Sequence, residues 1–270
     1  SKFDQDISSW DVSNVTDMWG VFARGVFNQD ISSWDLSNVT DITGMFEYND
    51  AFNQDISQWN VGNVTSMKQM FINADAFNQD IGGWNISSVI NINYMFFVAT
   101  SFNQDIGNWN VSSVTHMGIM FDGASNFNQG IRNWNTLNVS RMEYMFRRAY
   151  AFNQNLSNWN ISKVTKMNNI FDATNALSNA NKGEIHKTFS SNSNWPYSSW
   201  SAYAVYTPLT DSNFQTAVNL WFIDEANATI TYGHISDWNV SAVTDMSEAF
   251  RDRTNFDQNI TDWDVSNVTK

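Results

Sequence analysis

Apolar positions along the chain follow two rhythms, and the pair of rhythms returns every 24 or 25 residues. In FNQDISSWDLSNVTDITGMF, residues 27–46, apolar side chains fall first at Ile31, Trp34 and Leu36, with Ser32, Ser33, Asp35 and Ser37 turned the other way. That parity is the pattern of a short half-buried strand. Val39, Ile42, Met45 and Phe46 then fall three and four apart, the spacing of one helical face. Each copy is therefore expected to be a short strand followed by a short helix. Tryptophan marks the period at Trp10, Trp34, Trp59, Trp84, Trp109, Trp134 and Trp159, and again after a gap at Trp238 and Trp263. A period of about 25 residues means a stacked architecture. One unit cannot bury its apolar side alone, whereas stacked copies share a continuous core. The expected fold class is an α/β solenoid, a leucine-rich-repeat-like stack of short strand plus short helix coils with helical capping segments. The nine tryptophans are its expected core ladder, their indole N–H groups served by nearby Asn and Asp or by backbone turns.

The frame lapses between Leu177 and His234. Residues 190–201, SSNSNWPYSSWS, are rich in Ser and Asn, and Pro196 and Pro208 are the chain's two prolines. Thr210-Asp-Ser-Asn then precedes apolar positions Phe214, Ala217, Val218, Trp221 and Phe222, the signature of a capped amphipathic helix. The expected division is a first repeat solenoid over 1–206, with repeats in 1–177 and a closing cap in 178–206. A helical cap and the first coils of a second solenoid follow over 207–270. One solenoid with an inserted excursion is the alternative. The chain starts and stops within a repeat, so it reads as an excerpt of something longer.

Composition narrows the function. The 270 residues are 42% hydrophobic and 15% charged, enough apolar material for a core and too little charge for a disordered tail. A net charge of -13 argues against nucleic acid and anionic membrane surfaces as partners. Cysteine is absent, which removes disulfides, thiolate nucleophiles and cysteine metal sites. No apolar run reaches the length of a membrane span. Charge is uneven along the chain: residues 1–131 hold 3 basic and 14 acidic groups, 132–187 hold 8 and 3, and 188–270 hold 3 and 10. The basic band Arg132, Arg141, Arg147, Arg148, Lys163 and Lys166 is a candidate contact surface toward an acidic neighbour.

Candidate chemistry is weighed against the repeat itself. Asp30, Asp55, Asp80 and Asp105 would stack in a row that could attract calcium, but Gly130 and Asn155 occupy the same slot, so turn capping explains the row better. His116, His186 and His234 have no metal-ligand or catalytic spacing, and neither G-x-S-x-G nor a phosphate-binding glycine loop occurs. No catalytic residue, cofactor or metal is expected, and the chain is read as a non-enzyme. The outward positions Ser57, Gln58 and Asn60 and their counterparts are small and polar, which leaves room for glycan recognition but offers no aromatic anchors.

The repeat FNQDISSWDLSNVTDITGMF resembles the bacterial surface protein repeat of about 25 residues, grouped with BspA-like leucine-rich-repeat surface proteins and the mycoplasma-lipoprotein-type repeat. The likeness covers about 1–177 and 233–270. It implies an extracellular tandem-repeat protein on a cell or virion surface, a structural or adhesive scaffold and a segment of a longer fibre or surface layer. The alternative is a binding module for a glycan or host protein. The implied partners are other copies or modules of the same protein, with a glycan or host surface protein second. The resemblance brings no catalytic residues.

Overall fold

The structure, a computed structural model, describes residues 2–270. The chain packs as two compact units, Ser1–Asn181 with Asn192–Pro196, and Lys182–Ser191 with Tyr197–Lys270. The boundary expected near 206 falls within the second unit.

In the first unit each repeat is one coil, and coils bond to their neighbours at the repeat period. The coil is made of turns. Backbone N–H groups close tight turns three residues back at Trp34 to Ile31, Val39 to Leu36, Met45 to Ile42, Glu47 to Gly44 and Asn49 to Phe46. Between these, Ile42, Gly44, Phe46 and Tyr48 donate forward to Ser66, Lys68, Met70 and Ile72 of the next coil. An α-helix would send every N–H to the residue four back. Here alternate N–H groups leave the coil, so the segment read as a helix is none.

The strand half is corrected as well. Among the described residues no β-strand forms; neighbouring coils meet in six one-residue parallel bridges that join Asp17, Asp41, Ser66, Asn91, His116, Arg141 and Lys166 in a column. Ladder pairing cannot extend because left-handed residues interrupt the segment after each bridge: Gly44 (φ 61°) and Tyr48 (φ 54°), Gln69 and Asn73, Tyr94 and Val98. The α/β solenoid of strand-plus-helix coils, and with it the leucine-rich-repeat solenoid assignment, is thereby overturned. What stands is a stack of turn-built coils with one apolar interior.

That interior produces the three-residue spacing of the sequence. The first and last residues of a tight turn lie three apart and both point inward here, so Ile31 and Trp34, Leu36 and Val39, and Ile42 and Met45 are all buried. Three-residue spacing thus belongs to turns as well as to helices. Aromatic rings run through the stack in columns: Phe52, Phe77, Phe102, Phe127 and Phe152 lie 6.0–6.2 Å apart, and within a coil Phe46 stacks on Phe52 at 3.7 Å.

The FNQ triplet adds a polar column at the coil corner. Asn53 Oδ1 accepts the backbone N–H of Asn78 at 2.9 Å and Gln79 Nε2 at 3.0 Å, and the pattern repeats from Asn28 to Asn128. At its end the Ser178 N–H and Asn181 Nδ2 fill the places at Asn153 that another Asn and Gln would take. There the coils give way to α1 (Asn179–Phe189).

The second unit holds α2 (Phe214–Ile223), α3 (Glu225–Tyr232) and a six-residue 3-10 helix, Ser198–Tyr203. The helix expected after Thr210 begins at Phe214, because the Asn213 side chain closes a preceding turn: its Oδ1 accepts Thr210 N–H and its Nδ2 donates to Pro208 O. Phe214 and Trp221 of α2 meet Trp238 and Trp263 edge-on at 6.0–6.4 Å. Asp224 caps α3 by accepting Asn227 N–H, and Gly233 (φ 89°) ends it.

Candidate functional site

The tryptophan ladder is interior. Trp34, Trp59, Trp84, Trp109, Trp134 and Trp159 are buried, as are Trp238 and Trp263, while Trp10 is 57% exposed. The acceptor is a main-chain carbonyl and not the Asn and Asp side chains beside it: Trp59 Nε1 donates to Ile31 O, Trp84 to Ile56, Trp109 to Ile81, Trp134 to Ile106 and Trp159 to Ile131, each at 3.0 Å. Each of these indoles lies on the coil before its own, whereas the Trp10 ring is exposed and is not part of the buried ladder. Successive rings are nearly parallel, at 8° for Trp59 and Trp84 and 6° for Trp109 and Trp134.

The aspartate row is built into turns. Asp30, Asp55, Asp80 and Asp105 each accept the backbone N–H two residues on at 2.9 Å. Accepting the Ser32 and Ser57 N–H groups holds Asp30 and Asp55 below the usual carboxylate range. Among the described residues no group of three or more His, Asp or Glu is placed to hold a metal ion.

The basic band divides into held and outlying cations. Arg147 and Arg148 both grip the fully buried Asp122 carboxylate of the coil before them, Arg147 Nη2 at 2.6 Å and Arg148 Nη2 at 2.9 Å. That hydrogen bond raises the Arg147 pKa. Arg141 is drawn onto buried Glu143, which raises its pKa too. Arg132 donates to Asn158 and Lys163 to Asn138, while Lys166 is exposed. The anchor Asp122 is not marked by the repeat, since its slot also holds Glu47, Ile72, Phe97, Arg147 and Asp172 in the other coils.

The second unit contains a cleft of about 860 Å³ lined by His186, Ser201, Tyr206, Glu225, His234 and Asp237 among others. Burial lowers the His186 pKa and raises that of Tyr206. His234 is engaged locally, since its Nδ1 accepts Ser236 N–H and meets Ser236 Oγ at 2.7 Å, capping a 3-10 turn. The cleft offers hydroxyls, two carboxylates and a phenol, groups suited to hydrogen-bonding a polyhydroxylated ligand. Spacing could not reveal it, since His186 and His234 come together only through the chain between them.

Turn-built coils stacked at a 25-residue period define a tandem-repeat protein. The chain belongs to the family described as "Mycoplasma protein of unknown function, DUF285", whose model matches residues 1–106, 77–184 and 210–270. No curated protein matches it. No helix among the described residues is long and apolar enough to cross a membrane.

Proposed function

We propose that the chain is a non-enzymatic structural scaffold displayed at a cell surface, a stiff repeat spacer that presents small polar side chains outward. The observation that carries this reading is the coil-to-coil bonding of the first unit: in each of its first six coils four turn N–H groups donate to the next coil. From the second coil on a tryptophan indole donates to the coil before, and a Thr or Ser hydroxyl does the same in every later coil but the fourth, where Ile90 stands. Such a stack resists bending without disulfides, because each interior coil is braced on both sides. Antibodies against the chain, applied to intact and to permeabilised cells alongside protease shaving, test it. Labelling and cleavage of intact cells are expected; signal only after permeabilisation contradicts surface display.

A second reading, glycan binding, draws on the cleft of the second unit. Tyr206 offers a phenol, and Glu225 and Asp237 offer acceptors for paired hydroxyls. Signal on a glycan array that disappears with Tyr206→Ala supports that reading, and a blank array removes it.

A further inference from the structure

The bridge column of the first unit is complementary to itself when read backwards. From the first coil to the seventh it runs from two aspartates, through Ser66, Asn91 and His116, to two cations. Turned end for end on a second copy, Asp17 faces Lys166, Asp41 faces Arg141, Ser66 faces His116 and Asn91 faces Asn91. We infer that two copies of this chain pair side by side and antiparallel across this column, on a two-fold axis through the fourth coil.

The column can serve as one flat edge. Asp17 and Lys166 are exposed and the five residues between them are half-buried, so every position reaches solvent. Coils about 4.8 Å apart carry the column over about 29 Å. Equivalent rings on successive coils stack 5–16° from parallel, so each coil turns little from the one before.

Charge selects the arrangement. Side-by-side parallel pairing sets Asp17 on Asp17 and Lys166 on Lys166, which like-charge repulsion opposes. A slip of one coil either leaves Asp17 unmatched or leaves Lys166 unmatched, so the unslipped register alone forms both kinds of ion pair twice. A two-fold contact is self-complementary by construction, each residue and its counterpart being used once from either side. The aspartates are already oriented for it: one oxygen of Asp17 accepts Trp19 N–H and one of Asp41 accepts Thr43 N–H, which fixes each carboxylate beside the column. Arg141 leans on Glu143 yet keeps 39% of its side chain exposed.

An independent feature lies on the axis. The column alongside the bridges reads Thr40, Thr65, Ile90, Thr115, Ser140 and Thr165, and its single apolar member, Ile90, is 49% exposed in the fourth coil. In the inferred pair Ile90 meets its own copy, giving an apolar contact at the centre of a polar edge.

Sedimentation velocity of the full chain tests this. At about 20 mM salt a dimer is expected, and at about 500 mM salt it dissociates, because exposed ion pairs are screened. Lys166→Glu and Asp17→Lys each place two like charges in contact, and each is expected to raise Kd about tenfold. Mixed in equal amounts, the two variants restore association, since in the mixed pair Lys at 17 meets Glu at 166 while native Lys166 meets native Asp17. The chain has no cysteine, so oxidised Ile90→Cys is expected to cross-link to itself and Thr40→Cys is not. A monomer at low salt, a mixture that fails to restore the dimer, or cross-linking of Thr40→Cys but not Ile90→Cys overturns the pairing.

Discussion

A buried indole N–H left without an acceptor costs about 1–3 kcal/mol, and the stack meets that requirement with a carbonyl 28 residues earlier in the chain. Trp109 reaching Ile81 O is representative. Trp109→Phe keeps a ring in the column but removes this bond and part of the buried ring, so a loss of about 2–3 kcal/mol is expected in denaturant unfolding. Trp109→Ala adds a cavity and is expected to cost about 3–5 kcal/mol. The burial parity of Trp34 was legible from Ser32, Ser33 and Asp35 around it; the acceptor was not, because nothing in the repeat marks a carbonyl one coil away. The same limit hid Asp122. Arg147 and Arg148 read as a free cationic patch, yet both close on a carboxylate 25 and 26 residues before them. Removing both, as Arg147→Ala with Arg148→Ala, leaves that buried carboxylate unpaired, and a loss of about 3–5 kcal/mol is expected from thermal or denaturant unfolding. If the pair instead unfolds like the native chain, the two arginines are surface groups and their geometry at Asp122 carries no energy.

At the level of the element, the period of the repeat was plain and its secondary structure was not. Val39, Ile42 and Met45 satisfy a helical template, but a run of tight turns places the same residues inside. The discriminating residues sit between them: Gly44 and Tyr48, then Gln69 and Asn73, hold left-handed conformations that no helix admits. Tyr, Gln and Val at such positions give no sequence signal, since this conformation favours Gly and Asn. The turns also couple stability to pH. Asp30 and Asp55 bind backbone N–H groups in the folded chain, which lowers their pKa from 3.8. A lowered folded pKa means the unfolded chain takes up protons first. The contribution is present above about pH 4 and is lost as pH falls through the lower folded values. Buried His186, its pKa lowered from 6.5, already costs stability as pH falls below about 6.5. Below about pH 4 the melting temperature is expected to fall further, and that further fall is smaller for Asp30→Asn with Asp55→Asn. An equal fall in that variant removes these caps from the acid sensitivity.

At the scale of the whole chain, two compact units follow from the interrupted frame around 178–232, and the interruption was legible in its prolines and serines. The sequence did not disclose that Asn192–Pro196 belongs with the first unit, because Asn192 Nδ2 reaches the Ile161 and Val164 carbonyls across some thirty residues. The basic and acidic stretches were visible as totals; their arrangement as one column from Asp17 to Lys166 needed the bridges. The coils of the first unit form one bonded stack in which tryptophan is buried structure. Residue-resolved hydrogen exchange of the indole N–H groups tests it most directly. The stack predicts protection of at least about a thousandfold for Trp59, Trp84, Trp109, Trp134 and Trp159, together with near-free exchange at the exposed Trp10 and Trp19. Exchange of all seven at the same unprotected rate would contradict it.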